Sequence, residues 1–172
     1  MANRTDYQVQ IRVAKPGAGD VLTKDVYKGR VGDDFNAGDL LTLEQGGFAE
    51  TVATTIDSDL AIPIRFIALE DFDGVTSVNV GVQSITADTK FLGQVSTSTV
   101  TVADIGKRGT LAQDVTTGNY HVVITDTNPV VEIVDVEPNF SPEGRYATGN
   151  YNLVLFKFLP AALEKAPATS ST

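Results

Sequence analysis

Asn119-Tyr-His-Val-Val-Ile-Thr125 and Val130-Val-Glu-Ile-Val-Asp-Val136, joined by Asp126-Thr-Asn-Pro129, decide how this chain folds. Both runs are rich in β-branched residues, whose stiff side chains suit a pleated surface better than a helix. Asn-Pro starts turns, so the two runs read as a hairpin.

The same texture continues upstream. Gln94-Val-Ser-Thr-Ser-Thr-Val-Thr-Val102 alternates Thr with Val, and Phe91–Val95 and Thr97–Val102 read as successive strands. Between Val75 and Thr86, Val78, Val80 and Val82 share one face while Ser77, Asn79 and Gly81 share the other. Tyr7, Val9, Ile11 and Val13 alternate with Gln8, Gln10 and Arg12, the signature of a half-buried strand. Lys15-Pro-Gly-Ala-Gly-Asp20 ends that strand with turn residues, and a weaker strand spans Val21–Val31.

A turn-rich loop, Gly32–Gly38, leads to the short apolar run Asp39–Leu43, closed by Gln45-Gly-Gly47. Ala49–Thr55 fits either a strand or one helical turn. Leu60–Leu69 is the most apolar segment; Pro63 lacks an N–H, so it reads as an edge strand or as two short strands at a bend. Tyr151–Leu159 is apolar on both faces, as for a central strand or one covered by a neighbouring subunit. One helical turn follows Pro160.

Short strands with a turn every ten or so residues predict an all-β fold: a single-domain barrel or sandwich of short antiparallel strands. No internal repeat is visible in the residues. The expected organisation is an arm at 1–8, a β-domain at 9–160 and a flexible tail at 161–172.

The reactive inventory is small. The chain has no Cys and a single His, His121, which excludes disulfides, thiol nucleophiles and a multi-His metal site within one chain. The net charge is −9, and residues 33–73 hold ten acidic side chains against one basic. Such a belt repels nucleic acid. No apolar run approaches the roughly 20 residues that span a bilayer. The polar N-terminus lacks a signal-peptide core, so synthesis in the cytoplasm is expected.

Individual motifs point the same way. Gly106-Lys-Arg-Gly-Thr110 superficially resembles a phosphate loop, but position 101 is Thr and no helix pattern follows, so it reads as a basic hairpin tip. Asp71-Phe-Asp-Gly74 resembles the start of a calcium loop without its later ligands, which leaves an acidic turn with Asp71 and Asp73 as candidate calcium oxygens. His121 has no nucleophile elbow to serve. The expectation is therefore no enzyme, no catalytic residue, no cofactor and no metal. Candidate partner contacts are Arg4, Thr5, Asp6 and Tyr7 in the arm, the loop aromatics Phe140 and Tyr146, and Phe156 and Phe158 on the final strand.

Gly38-Asp-Leu-Leu-Thr-Leu-Glu-Gln-Gly-Gly-Phe-Ala-Glu50 and Asp59-Leu-Ala-Ile-Pro-Ile-Arg-Phe-Ile-Ala-Leu-Glu-Asp71, with Val154-Leu-Phe-Lys-Phe-Leu159, resemble bacteriophage head decoration proteins, also called capsid cement proteins. The resemblance covers about residues 20–160 and lies in turn-and-strand pattern. It implies a virion protein, assembled in the host cytoplasm. Such a protein binds the capsid surface as a trimer and bridges major capsid subunits. Two other readings fit an all-β chain of this composition: a tail or head-fibre module, and a carbohydrate-binding β-sandwich. The absence of Trp weighs against the second.

Overall fold

A computed structural model describes residues 11–15, 24–43, 46–52, 55–56, 63–96, 100–136 and 152–164. The strands are β1 (Arg12–Lys15), β2 (Lys24–Gly29), β3 (Leu40–Leu43), β4 (Phe48–Thr51), β5 (Thr55–Ile56), β6 (Phe66–Ala68), β7 (Asn79–Ser84), β8 (Lys90–Val95), β9 (Arg108–Gln113), β10 (Tyr120–Ile124), β11 (Val131–Val136) and β12 (Leu153–Phe158). A 3-10 turn at Val102–Asp104 and a single α-helical turn, α1 (Pro160–Leu163), are the helical elements among the described residues. The fold is all-β.

Ten of these strands close into two barrels. The first runs in the order β2-β4-β3-β6-β7, with β7 returning to β2; the second runs β8-β10-β9-β11-β12, with β12 returning to β8. Strand for strand, the two orders are the same. The parallel pair falls at the same place, β2 with β4 and β8 with β10. The registers match as well. Lys28↔Phe48 corresponds to Gln94↔His121, Leu41↔Phe66 to Gly109↔Val131, and Ala68↔Val82 to Ile133↔Phe156.

Hydrogen bonds outside the ladders repeat too. The Gly38 N–H donates to Ala68 O and the Gly106 N–H to Ile133 O, both at 2.8 Å; the Gly29 N–H donates to Val78 O and the Val95 N–H to Asn152 O. Gly38 and Gly106 have φ of 93° and 87°, the left-handed region where a Cβ is penalised. Each stands two residues before its strand, where the chain must reverse into β3 or β9. The chain is thus a structural duplication, although the residues show no repeat. Among equivalent strand positions, only Lys24/Lys90, Thr42/Thr110, Leu43/Leu111 and Val80/Val154 carry the same residue. A β-barrel needs only the alternation of inward and outward side chains, which many residues satisfy.

Inward residues of the first barrel, including Leu41, Phe66, Ala68, Val80 and Val82, form one apolar cluster with Phe35 and Phe72. The second barrel is filled by Phe91, Phe156 and Phe158, with ring centroids 5.3–5.8 Å apart. Its cluster continues outward to Leu40, Ile64, Ile67 and Ile85 on the outside of the first barrel, so a shared core joins the two. α1 helps seal this junction: the Ile64 N–H donates to Ala162 O.

Several expectations are corrected. β10 and β11 are not a hairpin, because β9 lies between them and pairs with both. The Asp126–Pro129 turn therefore joins strands that are not neighbours. β9 itself begins at Arg108, inside the stretch expected to be a hairpin tip. Residues 100–101 are not strand, and Val102–Asp104 is a 3-10 turn capped by Thr101, where a strand over Thr97–Val102 is expected from alternation. Phe48–Thr51 resolves as strand, the first of the two readings for that segment. The strands are antiparallel except for one parallel pair in each barrel. On β12 the chain itself covers the inward face fully, with Phe156 and Phe158 0% and 1% exposed, and the outward face in part, with Leu153 buried and Leu155 half-buried. Phe156 and Phe158 are core residues and present no partner contact.

Candidate functional site

Each strand of a barrel has two edges, and the β8 edges are both used. β12 takes one edge along Phe91–Gln94; the other is shared by β1, opposite Lys90–Leu92, and β10, opposite Gln94 and Val95. The equivalent strand β2 is paired on one edge by β7 along Lys24–Lys28 and on the other by β4 at Lys28 and Gly29 only. Among the described residues, no strand covers Lys24–Tyr27 on the β4 side. The Arg30 N–H donates to Ala49 O on β4, so even-numbered residues of β2 aim their backbone groups at that side. Lys24 and Val26 therefore present N–H and C=O groups where the second barrel has β1. Outward exposure follows: Val26 is 54% exposed, while its counterpart Leu92, beside β1, is 9% exposed.

At the Lys24 end of β2, on its β7 side, lies a cleft of about 400 Å³ between the barrels. Its walls include Ile11, Arg12 and Val13 from the β1 end, Lys24 from β2, and Leu69 and Gln83. Lys24 pairs with Glu70 at 3.1 Å, and Glu70 also accepts the Gly81 N–H. The Gly81 N–H and then the Lys24 ammonium hold the Glu70 carboxyl below the usual carboxylate range.

A second, shallower cavity of about 620 Å³ is rimmed by Asp34, Asp71 and Asp73 around Phe35 and Phe72. Asp71 accepts the Ala37 N–H at 2.8 Å and Asp73 the Val75 N–H at 3.0 Å, so both carboxylates brace turns. Among the described residues, no three His, Cys, Asp or Glu side chains are placed to hold a metal ion. Asp33 binds the Thr51 N–H and hydroxyl, and Asp114 the N–H groups of Thr116 and Thr117. Asp39, at the entry to β3, accepts the Asn36 N–H; burial pushes its carboxyl upward against that bond.

His121 is buried on the outward face of β10, opposite Gln94 on β8, while Val122 beside it faces the barrel interior. Burial lowers its basicity and the nearby Asp114 carboxylate partly restores it. The equivalent position in the first barrel holds Phe48, which is half-buried.

Arg4, Thr5, Asp6, Tyr7, Phe140 and Tyr146 lie outside the described residues, as do most of the expected arm and tail. The open β2 edge was invisible in the residues because Lys24–Gly29 reads as any weak strand; only its neighbours reveal it. No described helix is long and apolar enough to cross a membrane. Comparison with protein-family models, curated proteins and solved structures finds no match.

Proposed function

We propose that this chain is a structural virion protein. It binds the outer surface of a phage capsid and stabilises the shell by bridging major capsid subunits. The observation that carries this reading is the duplication. A capsid surface repeats one subunit, and a rigid body with two like halves on a shared core is suited to engage two neighbouring copies at once. Bridging two sites with one body raises the effective concentration of the second contact, so weak contacts hold firmly. The strand-pattern resemblance to decoration proteins supports the same reading, as does the use of carboxylates such as Asp33, Asp71, Asp104 and Asp114 for bracing turns. Binding in this reading needs no cofactor, and the chain acts on the virion after synthesis in the host cytoplasm.

The carbohydrate reading gains nothing from the geometry. Among the described residues, the exposed large apolar side chains are aliphatic, from Val26 to Val115, and offer no ring for a sugar face to stack on. Co-sedimentation with expanded and unexpanded capsids tests the proposal. Saturable binding and a raised capsid melting temperature are expected; failure to bind either form overturns it.

A further inference from the structure

We infer that the open edge of β2 accepts a strand from the N-terminal segment, residues Tyr7–Gln10, of a second copy of this chain. The duplication shows what fits there. On the second barrel, the same edge of β8 is completed by β1, antiparallel, with Arg12 opposite Leu92. On the first barrel, the backbone groups of Lys24 and Val26 face that side with no described partner. A strand edge of this kind binds by main-chain hydrogen bonds and asks little of the incoming sequence.

Three features select the occupant. The ladder between β1 and β8 cannot lengthen toward the N-terminus, because His121 and Val122 of β10 already occupy the edge at Gln94 and Val95. Ten residues precede Ile11, and they continue the strand alternation through Tyr7 and Val9 with no Gly or Pro at which to turn back. A segment of that pattern suits a free strand edge, which β2 of a second copy would offer.

Charge agrees: residues 24–85 carry eleven acidic and four basic side chains, whereas residues 1–15 carry three basic and one acidic. Tyr7–Gln10 itself is uncharged, so it sets no cation against Lys24 or Lys28. The contact joins unlike surfaces, so successive copies add head to tail, closing into a ring where the rotation between copies closes and into a filament where it does not.

This inference does not depend on binding to a capsid, and its test uses the free protein. The chain lacks Cys, so engineered pairs report cleanly. Val26→Cys is combined in turn with a cysteine at Tyr7, Gln8, Val9 or Gln10, then oxidised. At least one pair is expected to give disulfide-linked dimers and higher species on a non-reducing gel. In parallel, the wild type is expected to sediment as an oligomer.

Val26→Pro, which removes the edge donor, and deletion of residues 2–10 should each weaken assembly at least tenfold with an unchanged circular dichroism spectrum. If Val26→Pro fails to fold, the deletion and the cysteine pairs still decide. Wild type that stays monomeric at its highest soluble concentration, or disulfides formed only within one chain, would overturn the inference. In the first case Lys24 and Lys28 simply keep the edge solvated.

Discussion

The two barrels share strand order, register and entry turns, yet they are filled and finished differently. Asp25 and Ser84 in the first occupy the places of Phe91 and Phe158 in the second. The former pair makes a 2.7 Å hydrogen bond; the latter packs edge to face at 5.3 Å. A large ring changes place across the interior. Tyr27 and Val82 in the first barrel correspond to Gly93 and Phe156 in the second, and a Cβ on Gly93 would approach the Phe156 ring to 2.8 Å. The turn before the third strand is braced in opposite senses. Asp39 accepts the Asn36 N–H in the first barrel, and Lys107 pairs with Asp104 at 2.7 Å in the second. Topology therefore demands an alternation and a filled interior, not particular residues.

Four experiments would break or sharpen that comparison. The largest effect is expected for Phe156→Ala, about 3–5 kcal/mol of lost stability because a ring leaves a closed interior. Val82→Ala at the matching position should cost about 2 kcal/mol. Urea unfolding of both variants checks this, and equal losses would mean that the aromatic cluster is not where the second barrel's stability resides.

Gly29→Ala comes next. The new Cβ would sit 2.6 Å from the Phe72 ring, an overpacking worth about 1–3 kcal/mol. Adding Phe72→Leu should recover part of the loss, as a double-mutant cycle by thermal unfolding would show. The second barrel holds Val95 at the same place, so Val95→Gly should instead lose packing, with no rescue from a smaller neighbour.

Ser84→Ala removes the bond to Asp25 and should cost about 1 kcal/mol. A shift in the urea midpoint without a change of slope is the expected result.

The smallest effect is the pH dependence that His121 contributes in the second barrel. Burial, partly offset by Asp114, holds His121 less basic in the folded chain than an ordinary imidazole. The unfolded chain therefore binds its proton first, and the stability present above pH 6.5 is lost as pH falls through the folded value. His121→Phe, which copies Phe48, should flatten the stability profile between pH 7 and 5. An unchanged slope would assign the pH response to other groups.

Much of the local structure was legible in the residues. Val131–Val136, Tyr120–Ile124 and Leu153–Phe158 announce themselves as strands through β-branched and aromatic content, and Pro160 opens α1 where its missing N–H does no harm. The burial of Phe156 and Phe158 was half legible. Apolar residues on both faces mean a covered strand, but whether the cover is the same chain or a neighbour is not a local property. Arg108–Gln113 was not legible as strand. Gly109 stands where the first barrel has Leu41, and a Cβ there would meet Val123 O at 2.4 Å. The closeness of that neighbouring strand dictates glycine and erases the strand signal.

By itself, then, the sequence determined an all-β chain with few reactive groups and an acidic first half, because composition, alternation and turn residues act over a few positions at a time. Only the tertiary structure decided that β9 separates β10 from β11, that the chain is duplicated, and that, among the described residues, no strand takes the β2 edge equivalent to the one β8 shares with β1. Pairing partners are chosen by barrel closure and by burial of the shared core, which sum over distant segments. Alternation says which face of a strand is covered, while its edges are filled by backbone groups that every residue carries alike.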